Sequence, residues 1–365
     1  MKIIKLILLF IANVIGMLTI IIFVFCILSR YGGFPERSLI HASGYVPLIW
    51  ILTISIFVLL LLLVIRRFKS ALGYFVIVVI FFLLIGDFSL NSLSGKTKYS
   101  ENGYKALSVI TYNVRYFSFG MDSIINFITK SEGDVFLLSE CVLTSEKLQY
   151  LKEHLPGFTV ISDNGNDVAL LSRYPVLEQK LIELPTHQAS LWGSNDPDRV
   201  AETNSKRYFI HALINVDGIT VNALSLRLIA GRAKDKSIGE GLRWGRYLLH
   251  AQQDELHTFL DYYLSLKGPV VFGGDLNAPP SSGVIQSIKQ YADDAYMSDH
   301  LFGLFTFRTT FPTMRLDYLF HSKDLIVKST NIVDVNLSDH FPIRGDFLIP
   351  TNQLQVMNQA KYQNN

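Results

Sequence analysis

The run Pro269 to Phe272 is apolar and stops on Gly273-Gly274-Asp275-Leu276-Asn277, and no other segment narrows the fold as much. The run reads as a buried strand, and the two glycines let the backbone turn tightly where it ends. A carboxylate, Asp275, and an amide, Asn277, then stand two positions apart on one face at a sheet edge. Layered α/β proteins assemble their sites at such strand ends. Taken alone, Gly-Asp-Leu-Asn reads equally well as a capped turn, because Asp and Asn are favoured turn residues in any protein.

Other segments repeat the arrangement. Ala106 to Tyr112 is strand-like and runs into Asn113-Val114-Arg115, and Asp134 to Ser139 is an apolar strand that ends on Glu140. Arg315-Leu316-Asp317-Tyr318-Leu319-Phe320 sets a carboxylate inside an apolar strand. Leu337-Ser338-Asp339-His340-Phe341-Pro342-Ile343 places adjacent Asp and His before a short apolar run. An unpaired buried carboxylate is costly, so Asp317 asks for a functional explanation. Asn113 by itself could equally cap a turn.

This ordered set resembles the endonuclease/exonuclease/phosphatase superfamily, which includes Mg-dependent DNases, abasic-site endonucleases, inositol polyphosphate 5-phosphatases and neutral sphingomyelinases. The resemblance covers roughly residues 105–350 and includes Asp167 to Pro175, similar to the family's strand after the glutamate. It implies a four-layer α/β sandwich, with two packed mixed β-sheets flanked by helices. It also implies Mg2+-dependent hydrolysis of a phosphodiester or phosphomonoester by in-line attack of activated water, with Mn2+ also serving. Cleaving such an ester needs charge neutralisation, an aligned water and help for the leaving oxygen. Hard oxygen ligands suit Mg2+, and one or two carboxylates suffice to hold it.

The implied roles fall on individual residues. Glu140 is the first choice as metal ligand, with Asn113 and Asp339 close by. Asp275 would orient or deprotonate the water, Asn277 would donate to the developing phosphorane oxygens, and His340 would bind phosphate or shuttle a proton. Asp317 would fix the orientation and charge of His340.

The pattern departs from the family at one place. A further histidine, in a context like Thr-x-His-Leu, is usual between the glutamate and Gly-Asp-x-Asn. Here Asp217-Gly218 is a hairpin turn, and the best register of Asn222 to Leu228 puts Arg227 at that position. A guanidinium clamps phosphate oxygens but exchanges no proton at neutral pH, so Arg227 is expected as a substrate-binding residue. A register slip of two or three residues is the other explanation. Arg227 also sustains an alternative function: a catalytically weak or inactive member serving as a phospho-ligand-binding or scaffold module. Cys141 reads as a small buried apolar residue. His211, His250 and His257 read as surface or core histidines.

The apolar residues, 49% of the chain, are unevenly spread. The first 91 residues hold three apolar runs, at about 3–28, 46–66 and 71–90, each near the ~20 residues a helix needs to cross a bilayer. They predict three transmembrane helices and a multi-pass protein. A cleaved signal peptide is the competing explanation of the first run. Lys2, Lys5, Arg66, Arg67 and Lys69 would share one side, with Arg66-Arg67-Phe68-Lys69 a tight cytoplasmic turn, so the catalytic domain is expected outside the cytoplasm. These runs lack ionisable pairs, which argues against a transporter or channel. Residues 92–104 read as a linker, 105–350 as the catalytic domain, Gln188 to Arg207 as a surface loop, Gly241 to Leu266 as an amphipathic helix and 351–365 as a polar tail.

The net charge of +2 neither requires nor excludes a nucleic-acid partner. The segment from Arg227 to Arg246, with Arg232, Lys234, Lys236 and Arg243, reads as a solvated face or as a basic rim to the site. Such a rim would suit nucleic acid, a phosphoinositide or a phospholipid headgroup. The two cysteines, Cys26 and Cys141, leave no disulfide framework.

Overall fold

The structure is a computed structural model that describes residues 2–31, 43–46, 48–89, 103–163, 165–186, 206–230, 238–303, 305–308 and 314–351. Residues 92–102 of the expected linker, the expected loop up to residue 205, Arg232, Lys234, Lys236 and the tail from residue 352 lie outside the described residues.

Strand β1 (Tyr104–Asn113) alternates cleanly, with Leu107 and Val109 facing one core and Ile110 and Tyr112 the opposite one. Strand β2 (Val135–Ser139) does the same with Val135 and Leu137 against Phe136 and Leu138. This period of two on both faces means that each strand is covered on both sides. They join β3 (Thr159–Ile161), β4 (Val168–Ser172), β11 (Ile326–Ile332) and β12 (Ile343–Pro350) in a sheet of order β11-β12-β1-β2-β4-β3. The second sheet comprises β5 (Val176–Glu183), β6 (Tyr208–Val216), β7 (Ile219–Ser225), β8 (Val270–Asp275), β9 (Asp293–Asp294) and β10 (Asp317–His321) in the order β5-β6-β7-β8-β10-β9. Each sheet is mixed: β1/β2 and β7/β8 are parallel, the rest antiparallel.

The sheets pack face to face over a core that includes Val109, Leu137, Ala212, Val271, Leu319 and Phe347. Helix α4 (Met121–Lys130) covers the outer face of the first sheet through Ile124, Phe127 and Ile128, and α5 (Ser145–His154) adds Leu151. Helix α6 (Ile238–Ser265) covers the second through Leu256, Phe259 and Leu260, with α7 (Gly283–Ile288) beside it. The result is a four-layer α/β sandwich. A short helix α8 (Ala295–Asp299) links β9 to the segment before β10.

The N-terminal part requires a correction. Helix α1 (Lys2–Tyr31) is long and apolar enough to cross a membrane, as an anchor or as a signal sequence, over Lys2–Arg30. Helices α2 (Leu48–Val64) and α3 (Phe68–Ile85) are apolar but only 17 and 18 residues long. At about 1.5 Å per residue each falls short of a hydrocarbon core about 30 Å thick. The three spans read from the sequence therefore reduce to one candidate. The three helices pack on one another through Ala12, Phe23, Ile51, Val58, Ala71 and Tyr74, and leave Phe10, Phe57 and Phe75 exposed.

Candidate active site

Sheet polarity explains why these residues meet. Strands β1 and β2 are parallel and end together, on Asn113 and on the Ser139-Glu140 step. Strand β12 is antiparallel to β1, so it starts where β1 finishes, just after His340. In the second sheet β10 is antiparallel to β8, and the register sets Asp317 opposite Asp275. Six sequence-distant polar residues thus arrive at one end of the sandwich.

The centre is a buried hydrogen-bonded group. Asn113 Nδ2 donates to Asp275 Oδ2 at 2.9 Å and lies 3.5 Å from His340 Nε2. His340 Nδ1 donates to Asp317 Oδ2 at 2.7 Å, an arrangement that turns Nε2 toward Asn113. Asp275 is itself fixed: its N–H donates to Ser139 Oγ at 3.1 Å, and its Oδ1 accepts from Asn277 N at 3.0 Å. Thr306 Oγ1 accepts from the N–H groups of Leu316 and Asp317, both at 3.0 Å, and so anchors the start of β10. The Phe307 ring lies 4.8 Å from the His340 ring, centroid to centroid.

The electrostatics follow from burial and neighbours. Burial lowers the pKa of His340, but Asp317 and then Asp275 outweigh it and raise it to about 9. Burial raises the pKa of Asp275, and Asp317 adds to the effect while His340 opposes it. A buried carboxyl beside a second carboxylate is held toward its protonated form for these two reasons.

Several backbones are strained here. Glu140 and Asn277 both have φ of 49°, and Arg115, Tyr116 and Phe117 follow one another at 46°, 54° and 61°. Left-handed residues other than glycine cost energy and collect at functional sites. Asn tolerates the conformation; Glu and the aromatic residues do not favour it.

The remaining expected residues have specific partners. Asn277 Nδ2 donates to Leu228 O at 2.9 Å. Asp339 Oδ2 lies 3.3 Å from Arg115 Nε. Arg227 is almost fully buried, with Nη2 2.9 Å from Glu140 Oε1 and Nη1 2.6 Å from Asp167 Oδ2. Burial opposes its charge, yet Asp167 and Glu140 raise its pKa further above the ordinary guanidinium value. Asp167 is pushed upward by burial and brought down below the usual carboxylate range by Arg227 and Arg207. Arg207 also pairs with Glu255 on α6 and donates through Nη2 to Arg227 O at 2.8 Å. Arg227 therefore belongs to a buried ionic chain that runs Glu140, Arg227, Asp167, Arg207, Glu255.

The sequence puts Arg207 at the end of a surface loop and Glu255 in an amphipathic helix with no role in the site, but both are buried, and no spacing links a loop end to a helix interior. Asp167 was visible only as the residue before an apolar strand. Cys141 is buried and its thiol is pushed up by that burial, and His211 sits in the core between Tyr262 Oη at 2.8 Å and Asn222 Oδ1 at 3.0 Å.

The sequence profile of the Endonuclease/Exonuclease/phosphatase family matches residues 110–340, more than half of the 365-residue chain. The chain belongs to this family. Among solved structures, an endonuclease/exonuclease/phosphatase family protein from Bacteroides thetaiotaomicron is 19% identical with a TM-score of 0.50, over 68% of this chain and 100% of that one. D. rerio TDP2 complexed with single strand DNA product is 16% identical with a TM-score of 0.50, over 66% of this chain and 98% of that one. A mannosyl-6-phosphatase from Bacteroides thetaiotaomicron is 19% identical with a TM-score of 0.48, over 66% and 99%. At these identities the likeness is one of fold. No curated protein matches the chain significantly.

Endonuclease/exonuclease/phosphatase enzymes are hydrolases of phosphoester substrates that generally use divalent metals, and donors for one are present. Ligand atoms of Asp275, Asp317 and His340 all lie within 4.8 Å of one another. Asp317 Oδ1 is buried and has no hydrogen-bond partner among the described residues. A hard oxygen donor in that state, beside a second carboxylate, fits a small divalent cation. This trio differs from the expected ligands. Among those, Glu140 is held by Arg227, Asp339 by Arg115, and Asn113 Oδ1 accepts from Arg115 N at 2.9 Å.

Proposed function

We propose that the chain is a membrane-anchored phosphoesterase that cleaves a phosphodiester or phosphomonoester by in-line attack of water. The observation that carries this reading is the convergence of Asn113, Asp275, Asp317 and His340, with His340 Nδ1 donating to Asp317 at 2.7 Å. Asp275 accepts the proton of the attacking water, and burial with Asp317 beside it raises its pKa, which makes it a stronger base than an ordinary carboxylate. His340, charged at neutral pH, offers Nε2–H to a phosphoryl or leaving oxygen, while Asp317 holds the tautomer. Asn113 and Asn277 position the phosphoryl group through their amides. Mg2+ or Mn2+ would neutralise charge on the phosphoryl oxygens. Glu140, with Asn113 and Asp339, is the first donor set we assign to it, and the Asp275 and Asp317 carboxylates are the second.

The test uses the full chain in detergent with aryl phosphodiester and phosphomonoester substrates. Asp275→Asn should lower kcat by at least about a hundredfold with an unchanged Tm. Chelation should abolish turnover. Calorimetric titration of Mn2+ into Glu140→Gln and Asp317→Asn tells the two donor sets apart, because the true set loses binding. Full activity after exhaustive chelation sinks the metal-dependent reading.

A second reading rests on Arg227, whose guanidinium takes an oxygen of Glu140 at 2.9 Å. A carboxylate so engaged is a weaker cation ligand, and a phospho-ligand-binding or scaffold module without turnover would follow. An inactive wild type that still binds inorganic phosphate favours that alternative.

A further inference from the structure

The N-terminal helices meet the sandwich at the strand ends that carry the site. On the loop after Asn277, Ser281 Oγ donates to Gly44 O at 2.5 Å. Tyr45 Oη donates to Gln252 Oε1 at 2.5 Å, and Gln252 Nε2 donates in turn to Asn277 O at 3.2 Å. On the other side Asp87, just past α3, accepts from Arg315 Nη1 at 3.0 Å and Lys289 Nζ at 3.4 Å. Arg315 is buried, also holds Asp294 at 2.6 Å, and leads directly into Leu316-Asp317. The Asp87 carbonyl accepts from Gly303 N at 2.9 Å, and Phe88 bridges Phe302. A Cβ on Gly303 would lie 1.9 Å from Asp87 Oδ2, so this close seam needs glycine.

All these contacts come from one end of the helical group, where the C-termini of α1 and α3 meet the start of α2. Arg30 Nη1 donates to Gly86 O there at 3.3 Å. Lys2, Lys5, Arg66, Arg67 and Lys69 lie at the opposite end of these helices.

Exposed aromatic side chains stand close in the chain to site residues, and Phe302 among them is bridged to Phe88 beside the helical group. Tyr116 and Phe119 follow Asn113; Phe302 and Phe305 precede Phe307, which packs on His340. Their exposures, 41%, 44%, 54% and 47%, are high for rings of this size. Exposed rings beside a membrane anchor suit the interface, where one side is apolar and the other wet. The exposed cations of the mouth are engaged: Arg115 lies 3.3 Å from Asp339, and Arg308 donates to Asn336 Oδ1 at 2.9 Å.

We infer that the site works at the bilayer surface on the phosphoester headgroup of a membrane lipid. The helices hold the mouth at headgroup depth, and Tyr116, Phe119, Phe302 and Phe305 dip into the interface. This rests on the hydrolase reading given above.

The test reconstitutes the full chain into phosphatidylcholine vesicles that contain phosphatidylglycerol, phosphatidate and phosphatidylinositol phosphate. Released headgroup or phosphate is compared with turnover of a soluble aryl phosphodiester, an oligonucleotide and a sugar phosphate. Hydrolysis of a vesicle lipid is expected. Phe302→Ser/Phe305→Ser should lower that rate at least about tenfold while it leaves soluble turnover unchanged. Phe119→Ser should act in the same direction. Turnover of oligonucleotide or sugar phosphate with the lipids untouched overturns the lipid assignment and leaves the hydrolase reading standing. Lipid hydrolysis indifferent to all three aromatic residues overturns the interfacial arrangement. No turnover of any substrate ends both.

Discussion

Arg227 shows how a residue's partners decide its role. From sequence it reads as a phosphate clamp, but its guanidinium is buried between Glu140 and Asp167. Removing one partner of a buried ion pair costs about 3–5 kcal/mol, because the others stay buried and uncompensated. Arg227→Ala should accordingly lower Tm sharply in thermal unfolding; an unchanged Tm would mean that the ionic chain does not form. His340 makes a second prediction. Its pKa rises from 6.5 to about 9 on folding, so its stabilisation is complete below 6.5 and lost as pH rises through about 9. The Tm of the wild type should fall more steeply across that window than the Tm of His340→Gln. Parallel Tm–pH curves would remove the Asp317–His340 pair from the account.

Among elements, β8 is where the local pattern and the tertiary requirement coincide. The apolar run predicts the strand, and Gly273-Gly274 predicts its sharp end, but only the sheet shows why glycine is needed. Gly274 has φ of 149°, and a Cβ there would stand 1.7 Å from the Leu226 carbonyl oxygen. Leu226 N and Leu228 N donate to Gly273 O at 3.0 Å and Asp275 O at 3.2 Å, so the segment after β7 runs tight along β8. Gly274→Ala should therefore destabilise by at least about 1–3 kcal/mol and displace Asp275 from Asn113. Chemical denaturation with parallel kinetics checks it; a variant of wild-type stability and kcat would contradict this packing. The β6–β7 hairpin was legible from Asp217-Gly218 because that turn is a local preference, here at φ of 49° and 96°.

At the scale of the whole molecule the question is which side of a membrane the sandwich occupies. We expect Lys2 and Lys5, at the start of the one candidate span, in the cytoplasm and the sandwich outside. A single crossing by α1 gives this orientation. Alkaline phosphatase fused after Asn365 should be active, and a green fluorescent protein fusion there dark. The reverse pair of results would place the site in the cytoplasm.

Sequence by itself determined what local chemistry can determine: apolar period, turn residues and the identity of the polar groups at strand ends. Asn113, Glu140, Asp275, Asp317 and His340 are legible because each interrupts a strong strand pattern that does not need it. Their common location follows from sheet polarity, since β1, β2 and β8 end where β10 and β12 begin. Only the tertiary structure decided the partners of Arg227, because Asp167 and Arg207 reach it, and Glu255 reaches Arg207, from separate elements that leave no mark in spacing. Only it trimmed the membrane region to one long helix, since hydropathy reports apolarity while helix ends are set by packing and backbone geometry. Only it brought Asp87 to Arg315 and Tyr45 to Gln252, contacts between distant segments that side-chain identity alone does not encode.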